Sequence, residues 1–343
     1  MRRTPRLVAL TAAGLAVATV ASGCSFLGLG SDPADLQVYT GRHYGSEEVF
    51  KKFTEETGIT VDILSGDDAE MLERVKNEGA DSPADIYMTV SAGPLWSAAE
   101  DDLLEPLTSP VLDQAVPAQY RDADDRWFGL VRRARTVVYD PEKVDPKEFD
   151  ATDTYAGLTD PKWKGRLCMR DLSGAYTTSL VASLIDLHGY DTTLEMVEGW
   201  LANDVEIMGN DVELLEAISA GTCEVGISNH YYLARAQAEG ELEDVKLYWA
   251  SQKGAGVHEN ISGAAVVATS DAKSKAQKFL EWLATDGQDD MLEGNHEYPV
   301  NPTVPVDEAA AAFGSFKPMA VDAEAYGKLN PDAVKLLAEA GYK

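Results

Sequence analysis

Cysteine is scarce. Three residues in 343, at positions 24, 168 and 223, cannot build the dense disulfide framework of a small secreted domain. Positive charge is scarce too. Lys and Arg number 29 against 58 Asp and Glu, a formal charge of −29, which repels nucleic acid and anionic membrane surfaces and argues against both as partners. Such an acidic surface keeps a chain soluble and favours encounter with cations. Histidine is limited to five residues, and His258-Glu259 and His296-Glu297 both lack the second imidazole of a zinc-protease helix. A Gly-x-Ser-x-Gly elbow and a phosphate-cradling Gly-x-x-x-x-Gly-Lys loop are also missing, so no familiar motif marks an enzyme. No repeat at solenoid spacing is visible. Only one long apolar run occurs, Leu7 to Val20, and it is too short for a membrane span.

That run reads instead as a targeting signal. Arg2, Arg3 and Arg6 form a basic stretch ahead of it, and it ends in Ala21-Ser22-Gly23-Cys24. Small residues leading into one Cys resemble a bacterial lipoprotein cleavage site. Residues 1–23 are therefore expected to be removed and Cys24 to carry lipid, which holds the chain at the cell membrane on its extracytoplasmic side. The alternative is an ordinary secretory signal cut nearby. Removing residues 1–23 takes away three arginines and no acid, which deepens the negative charge. Residues 24–35, with Ser, Gly, Asp and Pro, read as a tether. With Cys24 acylated, Cys168 and Cys223 remain as a pair. Outside the cytosol a disulfide is expected; two buried thiols are the alternative. Both cysteines fall in expected strands, so neighbouring strands can bring them together.

The rest of the chain is globular in composition, 45% apolar and 8% aromatic, and long enough for two lobes. Strands are expected at 36–40, 59–64 and 84–90. Between them lie a helix from Ser46 to Gly58, with Val49, Phe50 and Phe53 inward, and another over 67–78, with Met71, Leu72 and Val75 inward and Gly79 as its stop. This alternation predicts a parallel sheet with helical crossovers. A second set follows. Residues 127–140 are extended, with 136–139 a candidate crossing between lobes. Strands are expected at 166–170, 223–229 and 264–268, and helices at 176–187, 212–220, 272–284 and 331–340.

Three clusters of His and Tyr follow strands in this map. Arg42-His43-Tyr44 follows the first, Ser173-Gly174-Ala175-Tyr176 the one at 166–170, and His230-Tyr231-Tyr232 the one at 223–229. Open α/β sheets bind ligands beyond the carboxyl ends of their strands. A Tyr after a strand is most often a packing residue, so the weight lies in the shared location. Ferric iron is hard and highly charged and prefers anionic oxygen. It can displace the proton of a phenol, whose ordinary pKa is about 10, and tyrosinate is a known iron ligand. Softer metals call for Cys or more His.

The segments Val38-Tyr39-Thr40-Gly41-Arg42-His43-Tyr44, Ser82-Pro83-Ala84-Asp85-Ile86, Leu104-Glu105-Pro106 and Asn229-His230-Tyr231-Tyr232-Leu233-Ala234-Arg235 resemble the ferric-iron-binding proteins of bacterial ABC transporters. Asn260-Ile261-Ser262-Gly263-Ala264 and Glu297-Tyr298-Pro299-Val300-Asn301 do so too. The resemblance covers nearly all of residues 36–320. It implies an α/β chain with the type II periplasmic-binding-protein fold, two α/β lobes around a hinge with a ligand cleft. It divides the chain into lobe 1 (36–134 and 262–310) and lobe 2 (135–261 and 311–343).

By the same resemblance, Tyr231 and Tyr232 match paired metal ligands, Tyr176 a third tyrosine of one branch, and His43 and Tyr44 the ligands from the first lobe. Another branch uses a Glu after the third strand. Here the residues are Thr89-Val90-Ser91, which implies the tyrosine-rich geometry. Relatives can complete the shell with carbonate or another synergistic anion. The helix start at Ser173, Gly174 and Ala175 suits one, Asn229 lies where relatives contact it, and Arg135 can balance its charge. A permease partner and a monomeric state follow from the family. The rival expectation is an organic solute, such as a polyamine, a thiamine-like cation or a sugar, stacked on Trp96, Trp127 and Tyr176. A purely structural surface lipoprotein is a third.

Overall fold

The computed structural model describes residues 34–42, 46–172 and 175–343. The expected signal at 1–23, the lipidation site Cys24, most of the tether, and His43, Tyr44, Ser173 and Gly174 lie outside the described residues.

In chain order the first elements are β1 (Leu36–Thr40), α1 (Ser46–Thr57), β2 (Val61–Ser65), α2 (Asp68–Glu78), β3 (Ile86–Thr89), α3 (Ala92–Glu100) and α4 (Pro110–Ala115). The long strand β4 (Phe128–Tyr139) follows, then α5 (Thr154–Gly157), β5 (Leu167–Arg170), α6 (Tyr176–His188), α7 (Tyr190–Ala202), β6 (Glu206–Met208), α8 (Asp211–Ser219), β7 (Val225–Asn229) and α9 (His230–Ala238). The chain closes with β8 (Lys246–Tyr248), β9 (His258–Val266), α10 (Lys273–Ala284), α11 (Gln288–Leu292), β10 (Tyr298–Pro299), α12 (Glu308–Ala311), α13 (Ala323–Lys328) and α14 (Asn330–Ala340).

Local chemistry explains most of these limits. The apolar faces of α1 and α2 are the expected ones: Val49, Phe50 and Phe53, then Met71, Leu72 and Val75. Asp67 caps α2 by accepting from Ala69 N–H, a bond that satisfies an otherwise orphaned helix donor. Gly189, at φ +83, ends α6 and starts α7 in a conformation that L side chains rarely adopt. Helix α7 was not expected from the sequence. Its threonines and Gly199 lower local propensity, and Gly199 is needed because a Cβ there would meet Thr159.

One sheet runs in the order β2-β1-β3-β9-β4-β7-β5-β6, with β8 and β10 paired to β4. It is mixed, not parallel throughout. The sets β2-β1-β3 and β7-β5-β6 are parallel, but β9 is antiparallel to β3 and β4, and β4 is antiparallel to β7. The twelve residues of β4 let its first part pair with β9 and its last part with β7 and β8. Residues 136–139 therefore lie against β7 and β8, and the hand-over between partners comes earlier, at Arg135. Strand β9 also begins six residues before its expected start at 264. Its polar opening, His258-Glu259-Asn260, hides it in the sequence, yet each side chain is buried.

The buried core divides with the sheet. One cluster takes residues from Leu36 to Val131, from Ile261 to Val300, and Ala323 and Tyr326. The others run from Ala134 to Val257 and include Ala333 to Leu337. Large side chains such as Phe53 and Trp163, both almost fully buried, each contribute about 2–3 kcal/mol of burial free energy. Cys168 and Cys223 form a disulfide. Cys223 lies just ahead of β7 and not within it, because the turn after Gly221 delivers it to β5.

Candidate functional site

Strand β7 ends at Asn229 and α9 starts on the next residue, so His230, Tyr231 and Tyr232 occupy the strand's carboxyl end. His230 is fully buried and spends both ring nitrogens on backbone. Its Nδ1 accepts from Ala134 N–H at 3.2 Å and its Nε2–H donates to the His296 carbonyl at 3.0 Å. The ring stacks on Tyr298 at 4.5 Å. Burial pushes its pKa down to about 4, so it stays neutral. His230 thus anchors the first turn of α9, which bears the two tyrosines.

The rings of Tyr231 and Tyr232 lie 4.3 Å apart. Burial pushes the Tyr231 phenol well above its ordinary value, and the neighbouring Tyr176 and Tyr232 push it further while Arg133 opposes them. Tyr232 is pushed up to about 12, by burial first and Tyr176 second. Tyr176 opens α6 after β5. Its ring receives the Arg170 guanidinium at 4.5 Å and Arg133 at 6.0 Å. Three phenols therefore lie close to two arginines. Among the described residues, no group of three or more His, Cys, Asp or Glu could hold a metal ion.

Beside Tyr176 lies a cleft of about 640 Å³, lined by Gly41, Asp68, Trp96, Arg170, Ala175 and Tyr326 among others. A Cβ at Gly41 would collide with the Asp68 carboxylate, so glycine there leaves Asp68 its present position. Asp68 accepts from Val90 N–H with both oxygens, at 3.2 and 3.1 Å. Burial pushes its pKa up to about 7, although Val90 and Arg133 oppose the shift. Val90 offers only backbone: its carbonyl accepts from Arg133. Trp96 and Tyr176 line the cleft, but Trp127 is 0% exposed in the core and cannot stack on a solute.

Arg135 does not face the phenols. It is 3% exposed and is held by Asp211 at 2.9 Å, Asn229 Oδ1 at 3.4 Å and the Ile227 carbonyl at 3.1 Å. Arg133 is the arginine of β4 beside them. The sequence analysis singled out Arg135 and gave Arg133 no role. Asn229 is buried, and its Nδ2 has no hydrogen-bond partner among the described residues. Ala175 is the residue before α6 and borders the cleft. The sequence reading also passed over Asp68, Arg42 and Glu297, whose partners are remote in the chain.

Residues 48–316 match the family described as bacterial extracellular solute-binding protein. The chain belongs to that family. This solute-binding protein is 39% identical over 318 residues to Iron uptake protein A1 of Synechocystis, across 90% of this chain and 88% of the relative. It is 31% identical over 279 residues to the Major ferric iron-binding protein of Neisseria meningitidis serogroup B, across 79% and 82% of the two chains. Among solved structures it superposes with TM-score 0.84 and 39% identity on the Trichodesmium protein IdiA (FutA) in complex with iron and citrate, covering 90% of this chain and 99% of that one. The architecture is that of the type II periplasmic binding proteins.

Proposed function

We propose that this solute-binding protein captures iron as Fe3+ outside the cytoplasm and delivers it to an ABC permease, as a lipid-anchored monomer that binds and does not turn over its cargo. The observation that carries the reading is the meeting of Tyr176, Tyr231 and Tyr232 beside Arg133 and Arg170. The raised pKa values of Tyr231 and Tyr232 favour a strongly polarising metal, which repays loss of the protons. His43 and Tyr44 are the ligands expected from the first lobe. Metal lands first on Tyr231 and Tyr232, and closure about β4 and β9 brings the first lobe onto it. The lobes run over 36–134 and 262–310, and over 135–261 and 311–343. The division of the buried core supports these limits, except that Ile261, Ala323 and Tyr326 pack with the first lobe and Ala134 with the second.

A carbonate or related anion is taken by Ser173, Gly174 and Ala175, ahead of α6, and the buried Nδ2 of Asn229, without a hydrogen-bond partner among the described residues, supports a further ligand in this lobe. Arg135 contributes there through Asn229. Cys24 carries the lipid.

The test is a titration of the full chain in mild detergent with chelated ferric iron, read by its visible spectrum. A phenolate-to-iron charge-transfer band should saturate at one metal per chain and weaken in Tyr231→Phe and Tyr176→Phe. No band, together with thermal stability unmoved by iron, would overturn the reading in favour of an organic solute.

A further inference from the structure

Arg170 lies where the phenol cluster meets the cleft. It closes β5, as Tyr176 opens α6, and both side the cleft of about 640 Å³. Its guanidinium covers the Tyr176 ring at 4.5 Å, closer than Arg133 at 6.0 Å. Arg170 and the Tyr232 phenol also act on each other electrostatically.

Contacts from elsewhere in the chain hold Arg170 in place. Asp211, at the start of α8, is fully buried and accepts from Arg170 Nη1 at 2.7 Å. Its other oxygen accepts from Arg135 Nη1 at 2.9 Å and from the Asn229 N–H at 3.3 Å, so the carboxylate is held on both sides. Tyr342, the last residue but one, is buried, and its hydroxyl donates to the Arg170 carbonyl at 2.7 Å. Thr177, in the first turn of α6, donates to the Asp171 carbonyl at 3.4 Å. Arg170 is thus fixed at its backbone and at its head group, and the start of α6 is tied to the end of β5.

Stability alone does not call for a guanidinium here. A buried ion pair is commonly no more stabilising than apolar side chains of the same volume, and Asp211 already has Arg135 as counter-ion. What Arg170 adds is a cation over an aromatic face, drawn to the π electrons of the ring. That attraction grows once the phenol oxygen becomes anionic, as it does on binding a strongly polarising metal. Burial opposes the charge on Arg170, but Asp211, Tyr232 and Tyr176 raise its pKa, so the cation persists.

We propose that Arg170 is a positioning residue for iron capture: it sets the Tyr176 ring and balances the charge of its phenolate once metal is bound. The inference rests on the iron reading above.

The experiment compares Arg170→Gln, Arg170→Lys and Lys335→Gln in the full chain, and Arg170→Gln again in the Tyr176→Phe background. Lys335 is exposed and lies over the Tyr190 ring at 5.3 Å, the same kind of contact on another ring, and serves as the control. Ferric affinity is read by competition with nitrilotriacetate, and the visible band by its wavelength. Arg170→Gln should lower affinity by about tenfold or more and shift the band. Arg170→Lys should fall between it and the wild type, since it keeps the charge and loses the flat guanidinium. In the Tyr176→Phe background Arg170→Gln should change neither readout further, because the phenol through which it acts is gone. Lys335→Gln should match the wild type. Should Arg170→Gln fail to fold, Arg170→Lys takes its place in both comparisons. Wild-type affinity and band in the single variant, or the same loss with and without the Tyr176 hydroxyl, overturn the proposal. A wild-type chain with no band overturns the iron reading itself, and the proposal with it.

Discussion

Asp211 and Glu297 do the same job in different parts of the molecule, each lying between two buried arginines. Asp211 opens α8, is fully buried, and takes Arg135 at 2.9 Å and Arg170 at 2.7 Å. The Asn229 N–H adds a third bond at 3.3 Å. Its partners lie on β4, β5 and β7, neighbouring strands of the sheet. Glu297 holds Arg42 at 2.6 Å but meets Arg133 only at 3.6 Å, and its two partners come from separate stretches of chain, after β1 and on β4. Both arrangements reach Tyr176, one through Arg170 and the other through Arg133. The closed one reads as scaffold and the looser one as a joint.

The sharpest break of this comparison is Asp211→Ala. It removes the carboxylate shared by two buried guanidinium groups and should cost about 3–5 kcal/mol, measured by denaturant unfolding. Glu297→Gln should cost less, because the amide keeps the side chain's length and an oxygen that can still accept from Arg42. An equal loss from both would erase the distinction between scaffold and joint.

Reduction of the Cys168–Cys223 bond comes next. It closes a 55-residue separation beside Asp211, for which chain entropy sets a limit of about 4 kcal/mol. Unfolding with and without dithiothreitol checks this. A reduced chain as stable as the oxidised one would mean that the Asp211 group alone secures that half.

The smallest effect concerns the seam between the two parts, where His230 and His258 lie. Burial pushes both imidazoles down, His230 to about 4 and His258 to about 3. The unfolded chain therefore takes up protons that the folded one refuses. Stability is full above about pH 6.5 and falls as pH drops toward those values, by about 1 kcal/mol per histidine between pH 7 and 5.5. Urea midpoints across that range should show the slope, and His258→Asn should reduce it. A flat profile would exclude these imidazoles as the source.

Some of this was legible in the residues. The faces of α1 and α2, the stops at Gly79 and Gly189, and the strand-end position of Tyr231 and Tyr232 depend on neighbours within four residues, which periodicity and capping encode. The disulfide was also within reach, since two cysteines were left to pair. Arg133 was passed over in favour of Arg135, because its approach to the Tyr176 ring is a tertiary contact, and the polar start of β9 looked like a loop. Glu259 becomes strand-compatible only because Tyr120 and Arg132 meet its carboxylate, each at 2.8 Å.

By itself, then, the sequence determined helices such as α1 and α2 and the strand-end position of Tyr231 and Tyr232, because local backbone preference and side-chain chemistry travel with the residues. Only the tertiary structure decided the antiparallel crossing of β4 and β9, which arginine faces the phenols, and the Arg42–Glu297 pair, whose members stand 255 residues apart. Burying a charge is tolerable only where a partner waits, and where that partner waits is a property of the fold.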